Sequence, residues 1–296
     1  GADMCLDEIK PAYEAAVAAG RAVGLGLGLK NSGLGNGFRE VARAVVHFRA
    51  DGIVEVRHGW TEMGQGVHTV ALQVAVEELG IDAASIRVIV DTTRQLGFGQ
   101  TTGSRGTLMA AASVQRACAA ANEGNRQIGI DYTGEYVIDW THHIGEPGVE
   151  NPVIHSTFGY AAQMVVIDRA TQKIETVIAV HDVGRAVNPQ LCEGQVEGSV
   201  HMGLGYALTE DFPSDELGFP TNMTLKSLGI LRPKDVPPIE VTLVECPQPN
   251  SPYGIKGVGE IGLVPTAPAV AAALHDADGV WRDSLPMTAT GSDSDD

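Results

Sequence analysis

Apolar positions recur at helical spacing over residues 3–20, where Leu6, Ile9, Tyr13, Ala16 and Val17 share one face. Pro11 falls inside that span, so the pattern predicts a helix that kinks at Pro11 or begins near it. A glycine-rich stretch, VGLGLGLKNSGLGNG, follows at 23–37. Alternating segments at 41–49 and 53–59 predict two strands joined at Asp51-Gly52, a dipeptide suited to a tight hairpin turn. Helical periodicity returns over 68–79 and is closed by Gly80, and one more strand is predicted at 86–91. A polar loop, GFGQTTGSRG (97–106), then leads into an alanine-rich helix over 107–122.

From residue 135 the pattern restarts. Strands are predicted at 159–168 and 173–182, separated by a turn around Arg169–Gln172. A glycine-rich helix is expected from near Pro189 through QLCEGQVEGSVHMGLGYAL, Pro at a first helical position being preorganised for that role. An irregular, proline-containing region (212–238) precedes a strand at 239–245, the segment YGIKGVGEIG (253–262) and a helix at 265–277. The last residues, GSDSDD, read as a disordered tail or a scar of expression. The simplest reading is two α+β halves that divide near 123–135. No internal repeat is visible.

The chain has 296 residues, enough for one large domain or two smaller ones, and 44% of them are hydrophobic, as in ordinary globular proteins. Twenty Lys+Arg against 37 Asp+Glu leave a net charge of −17. Such a balance disfavours nucleic acid and anionic membrane surfaces as partners, since both reward positive charge. No apolar run approaches the ~20 residues that span a bilayer. Residues 1–10 lack the basic and apolar regions of a signal peptide, so a cytoplasmic location is expected. Cys5, Cys118, Cys192 and Cys246 are widely separated, without zinc or iron–sulfur spacing, and read as buried thiols in a reducing compartment.

Several chemistries are excluded by missing motifs. The glycines of 23–37 lack GxGxxG spacing and precede strand-like sequence, not the helix that would hold a pyrophosphate. No P-loop, GxSxG or HExxH occurs. His142, His143 and Glu146 form the one dense His/Glu cluster, and they read as a solvated loop. Three glycine-flanked polar segments remain: TEMGQGVHT (61–69), GQTTGSRG (99–106) and QVEGSVHMGLG (195–205). Each lies at or within a helix start, where backbone N–H groups can face an anion such as a phosphate or pterin; each is equally readable as a tight turn with glycine caps. In a fourth segment Glu260 sits between Gly259 and Ile261-Gly262. A carboxylate enclosed by such residues has a raised pKa useful to a general base, while the competing local reading is a surface glutamate in a turn.

Taken in order, these segments resemble the xanthine dehydrogenase/aldehyde oxidase family of molybdenum hydroxylases. The resemblance runs from about Gly24 to Pro286 and rests on MGQG…T, on NP…GQ.EG…G.G and on KGVGE. It implies two α/β subdomains with mixed or antiparallel sheets flanked by helices, the α+β arrangement of the family's molybdopterin-binding portion. It divides the chain into an N-terminal helix or linker (1–22), cofactor-binding subdomain A (23–126), subdomain B with the catalytic glutamate (127–286) and a tail (287–296). The implied cofactor is molybdopterin, in bacterial members usually the cytosine dinucleotide form, whose dithiolene holds molybdenum, so the chain need supply no metal ligand. Glu260 falls on the family's base, which takes a proton from the metal-bound hydroxyl before attack on an electron-poor carbon. The cofactor-contacting glutamines fall on Gln65 and Gln195. Further contacts are implied from Gly64, Gly66, Thr69, Thr101, Thr102, Gly103, Ser104 and Gly259.

The implied substrate is a small molecule, an N-heterocycle of purine or nicotinate type or an aldehyde. Electrons would pass to iron–sulfur and flavin modules, for which this chain carries no site. Relative to the family pattern, the half of the molybdenum portion that precedes this sequence is expected from another chain or a missing segment. The stretch between Asn122 and Tyr132 also looks contracted, and the 31–37 loop carries glycine near where the family lines its substrate pocket. These departures keep a second reading open: a non-catalytic or truncated domain of the same fold that serves structure or interaction without cofactor.

Overall fold

The structure, a computed structural model, describes residues 1–94, 96, 101–222 and 224–287. The expected tail lies outside these residues beyond Met287, as do residues 97–100 of the polar loop. In chain order the elements are α1 (Ala2–Ala18), β1 (Ala22–Ser32), β2 (Glu40–Phe48), β3 (Val54–His58), α2 (Val67–Leu79), β4 (Ile86–Val90), α3 (Gly106–Glu123) and β5 (Asp131–Ile138). They continue with β6 (Thr157–Ile167), β7 (Ile174–Asp182), α4 (Pro189–Leu208), β8 (Ile239–Val244) and α5 (Thr266–Asp278). Among the described residues no helix is long and apolar enough to cross a membrane.

Two four-stranded mixed sheets carry the fold, one ordered β4-β3-β2-β5 and the other β8-β7-β6-β1. Their topologies correspond. In each, an antiparallel hairpin (β2–β3 or β6–β7) is followed by a helix (α2 or α4) and a strand parallel to the hairpin's second strand. A second helix (α3 or α5) then packs beside an edge strand that runs antiparallel to the hairpin's first strand. In the second sheet that edge strand is β1, supplied from the start of the chain. This permutation hides the repeat from a linear reading of the sequence. The sheets also cross the expected division after residue 126: β1 precedes it yet pairs with β6, and β5 follows it yet pairs with β2.

The glycine-rich stretch carried no predicted element, and its first ten residues, 23–32, lie in the eleven-residue strand β1. Its glycines alternate because one face lies directly on α5. A Cβ at Gly24 would stand 2.1 Å from Ala269 O and Ala273 N, and one at Gly26 would stand 2.2 Å from Pro265 O. Gly134 of β5 admits α3 in the same way, since its Cβ would meet Ala117 N at 2.1 Å. The alanines of α3 complete that contact; Ala110, Ala111, Ala112, Ala117 and Ala121 are wholly buried. Small residues on both surfaces bring backbones together and trade side-chain volume for close packing.

Helix α1 runs uninterrupted through Pro11 from Ala2. Its buried residues are Cys5 and Ile9, with Ala12 and Ala16 partly covered against the opposite face of the β1–β6–β7 sheet, while Tyr13 and Val17 face solvent. The helical period was right, but the face is rotated because small residues suit a close helix–sheet contact. The connection from α3 to β5 is satisfied internally: Tyr132 Oη donates to Gly124 O at 2.9 Å and accepts from Gln127 N at 2.8 Å. All four cysteines are free, and burial pushes the thiols of Cys5 and Cys118 up to about 11 and about 12.

Candidate functional site

The two sheet units meet at a cleft of about 280 Å³. Four segments reach it: the turn before α2, the loop into α3, the chain from β7 into α4, and residues 255–260. Gln65, Thr101–Ser104, Gln195, Gly259 and Glu260 all line it, so the four segments singled out in the sequence converge in space. Gly64, Gly66 and Thr69 do not line it. The backbone N–H groups of Gly64 and Gly66, expected to face an anion, bond instead to the Glu62 carboxylate at 2.9 and 2.8 Å, and His68 N adds a third bond at 3.1 Å. Burial alone would raise the Glu62 pKa; these three donors outweigh it and hold the carboxyl below its usual range. Gln65 is also engaged in its own turn, accepting from Met63 N and donating to Thr61 O at 2.6 and 2.8 Å.

A different helix start faces the cleft. Gly106 and Thr107, the first residues of α3, line it, and α3 has no side-chain cap on its N-terminal N–H groups. By contrast, Asn188 caps α4 by accepting from Leu191 N at 3.0 Å. The open first turn of α3 therefore presents its orphan donors and the positive end of its dipole to whatever occupies the cleft. On α4, the Gln195 amide makes no hydrogen bond to any described residue, in contrast to Gln65.

Charge in the cleft is opposite to the balance of the whole chain. Its charged lining is Arg105, Arg185, Lys256 and Glu260. Arg105 is paired with buried Glu40 at 2.6 Å, and Lys256 with buried Asp182 at 2.6 Å. Arg185 is exposed and forms no ion pair with a described residue, so its charge remains available to a ligand. The sequence reading passed over Arg185, although its place in GRAVNP, just ahead of an Asn-Pro helix start, was a usable signal.

Glu260 is held by a small constellation. Ser104 Oγ donates to Glu260 Oε2 at 2.6 Å and accepts from Glu260 N at 3.1 Å. Lys30 Nζ, at the end of β1, lies 3.2 Å from the same Oε2. Oε1 receives no donor among the described residues. Ser104 adopts a left-handed φ of 52° next to Gly103 at 65°, an uncommon conformation for serine that aims its hydroxyl at Glu260. The enclosure argued from the glycine and aliphatic neighbours is not present: the Glu260 side chain is 49% exposed. Glycines beside a carboxylate open the backbone to solvent unless another surface covers it. The His142–Glu146 segment lies elsewhere, as a turn in which His143 N donates to the Glu146 carboxylate.

The molybdopterin cofactor-binding domain family matches residues 3–129 and 119–237. The chain is 30% identical over 288 residues to the xanthine dehydrogenase molybdenum-binding subunit of Escherichia coli, covering 84% of this chain and 38% of that protein. It is 31% identical over 314 residues to the nicotine 6-hydroxylase large subunit of Paenarthrobacter nicotinovorans, covering 88% and 38%. The crystal structure of aldehyde oxidoreductase from Desulfovibrio desulfuricans superposes with a TM-score of 0.85 at 26% identity over 97% of this chain and 34% of that one. The chain thus spans about two fifths of the curated relatives it matches. With its two helix-flanked mixed sheets and the motif-bearing cleft between them, the chain belongs to the molybdopterin cofactor-binding domain family of the xanthine dehydrogenase/aldehyde oxidoreductase type of molybdenum enzymes.

Proposed function

We propose that this chain forms one wall of the active site of a molybdenum hydroxylase, that the cleft holds molybdopterin in its cytosine dinucleotide form, and that Glu260 is the catalytic base. The observation that carries this reading is the Glu260 constellation at the cleft. One carboxylate oxygen is fixed by Ser104 and Lys30, and the other is left open to accept a proton.

The donor set suits an anionic, oxygen-rich cofactor. Hydroxyls of Thr101, Thr102 and Ser104, the open first turn of α3, and the Gln195 amide and Arg185, neither with a side-chain partner among the described residues, all suit such a ligand. Gly103 and Gly259 keep the backbone accessible beside them, whereas Gly64, Gly66 and Thr69 serve the turn and helix instead. When bound, the cofactor supplies a redox metal that accepts two electrons from the substrate carbon. The chain's own residues bind and orient the cofactor, and Glu260 Oε1 takes a proton at the reacting centre.

The substrate class is an electron-poor carbon of an N-heterocycle or an aldehyde. Relatives named for xanthine, nicotine and aldehydes support that range. The half-exposed Glu260 and the shorter span relative to the curated relatives support completion of the pocket by the N-terminal half of the molybdenum portion, with iron–sulfur and flavin modules taking the electrons. Four free thiols fit a reducing, cytoplasmic compartment.

The test is elemental analysis for molybdenum in the purified chain, alone and co-expressed with its partner chains, combined with Glu260→Gln in the assembled enzyme. Bound molybdenum with turnover abolished by the substitution is expected. Molybdenum absent from both preparations would overturn the cofactor reading; full turnover by Glu260→Gln would overturn the base.

A further inference from the structure

The segment from Lys256 to Gly262, which carries Glu260, lies outside any regular helix or strand. Its backbone bonds are local or long: Lys256 N donates to Val183 O at 3.3 Å, and Leu263 N and Val264 N donate to the Glu260 and Ile261 carbonyls at 3.2 Å. Side chains from elsewhere supply the rest. Ahead of Glu260, Lys256 is paired with Asp182 and Gly257 N donates to Ser32 Oγ at 3.0 Å. At Glu260 itself, Ser104 Oγ accepts from the backbone N–H. Behind it, the Gly262 carbonyl accepts from Gln163 Nε2 at 2.7 Å.

Gln163 is an unusual residue for its place. It lies in the middle of β6 with no solvent exposure, among Ala161, Ala162, Met164 and Val165, where an apolar side chain would fill the core without a desolvation penalty. Its bonds extend beyond Gly262. Thr266 Oγ1, in the first turn of α5, donates to Gln163 Oε1 at 2.7 Å, which fixes the orientation of the amide, and it also lies 3.2 Å from the Gly262 carbonyl. The Nε2 group also stands 3.1 Å from His181 Nε2. Burial keeps His181 neutral, with its pKa near 4, so this nitrogen accepts and the ring hydrogen sits on Nδ1. Thr266 and His181 are both fully buried. On the far side, Ser199 of α4 presses against Gly262, where a Cβ would meet the serine Cβ at 2.5 Å. Gly262 is thus gripped between α4 and this network, two residues from Glu260.

We propose that Gln163 is a positioning residue: through the Gly262 carbonyl it sets where Glu260 stands against Ser104 and Lys30. The inference rests on Glu260 being the base. Without this bond the C-terminal side of the loop would rest on its own turn bonds alone, which let the carboxylate drift, and a displacement of about 1 Å can cost on the order of a hundredfold in rate.

The experiment uses the molybdenum-loaded complex that contains this chain. Gln163→Leu is expected to lower kcat roughly tenfold to a hundredfold, with KM and molybdenum content unchanged and faster hydrogen–deuterium exchange over residues 258–263. Thr266→Val, which removes the hydroxyl that orients the amide, is expected to show the same pattern more weakly, and it decides the matter if Gln163→Leu fails to assemble. Unchanged kcat and exchange in the variants that hold molybdenum would overturn the proposal. Loss of molybdenum in step with loss of rate would also overturn it, since the network would then be structural. Glu260→Gln in parallel separates the two levels. If it is inactive while Gln163→Leu turns over normally, only the positioning role fails; if it turns over normally, the base reading fails and this one with it.

Discussion

Gly24→Ala adds one methyl group where there is no room for it. The new Cβ would lie 2.1 Å from Ala269 O and Ala273 N, both backbone atoms of α5. Ordinary contact begins near 3.4 Å, so the difference (3.4 − 2.1) requires helix and strand to separate by about 1.3 Å. That separation loosens Ala269, Val270, Ala273 and Leu274, the buried face of α5. Overpacking of this kind costs roughly 1–3 kcal/mol, toward the upper end here because neither contact can rotate away. Relief of the glycine's strand penalty returns about 0.5–1 kcal/mol. A net loss of about 2 kcal/mol follows, a fall in Tm of ~4–8 °C for a chain of this size. Gly28→Ala is the matched control, because its Cβ would meet side-chain atoms alone, the Pro265 ring at 3.1 Å and Val264 Cβ at 3.5 Å, and a loss under about 1 kcal/mol is expected. Urea unfolding of both variants measures the difference. Equal losses would refute the close-approach account of β1, and so would a Gly28→Ala loss larger than that of Gly24→Ala.

Acid should weaken the fold well above the carboxylate range. Burial draws His58 and His181 down to about 4 from 6.5, so the unfolded chain binds more protons than the folded one between those values. Their stabilising effect is complete above pH 6.5 and declines as pH falls toward 4, by on the order of 3 kcal/mol per histidine. Urea midpoints should be lower at pH 5 than at pH 7.5, with a shallower decline in His58→Gln; a midpoint that rises at pH 5 would contradict this. Within the cofactor hypothesis, Arg185→Ala should weaken retention roughly tenfold to a hundredfold, as for a lost charged hydrogen bond, and Gln195→Ala by up to about tenfold. Molybdenum remaining after dialysis measures both, and retention equal to the unsubstituted enzyme would remove these residues from the site.

Helical and strand periods were readable wherever one face is apolar and the other polar, as in α2, the β2–β3 hairpin and the β6–β7 pair. The β1 strand was not, because its buried face consists of glycines that register as missing side chains, although their spacing of two was itself the strand signal. The β5 strand carried no predicted element either, since Gly134 interrupts its apolar alternation at the point where α3 enters. The glycine-flanked segments were visible as a set, and the turns and helix starts they form are local chemistry.

What the sequence determined by itself was this local order: the element types outside β1 and β5, the four motif segments and the family they resemble, all set by spacing along the chain. Only the tertiary structure decided which strands share a sheet, since pairing β1 with β6 joins residues far apart in sequence. It likewise decided that Glu62 takes the N–H groups of the α2 turn, that Lys30 and Ser104 reach Glu260 from separate elements, and that Glu260 is open rather than enclosed. Such facts follow from how surfaces close on one another, and burial and charge pairing are properties of surfaces in contact, which spacing along a chain does not encode.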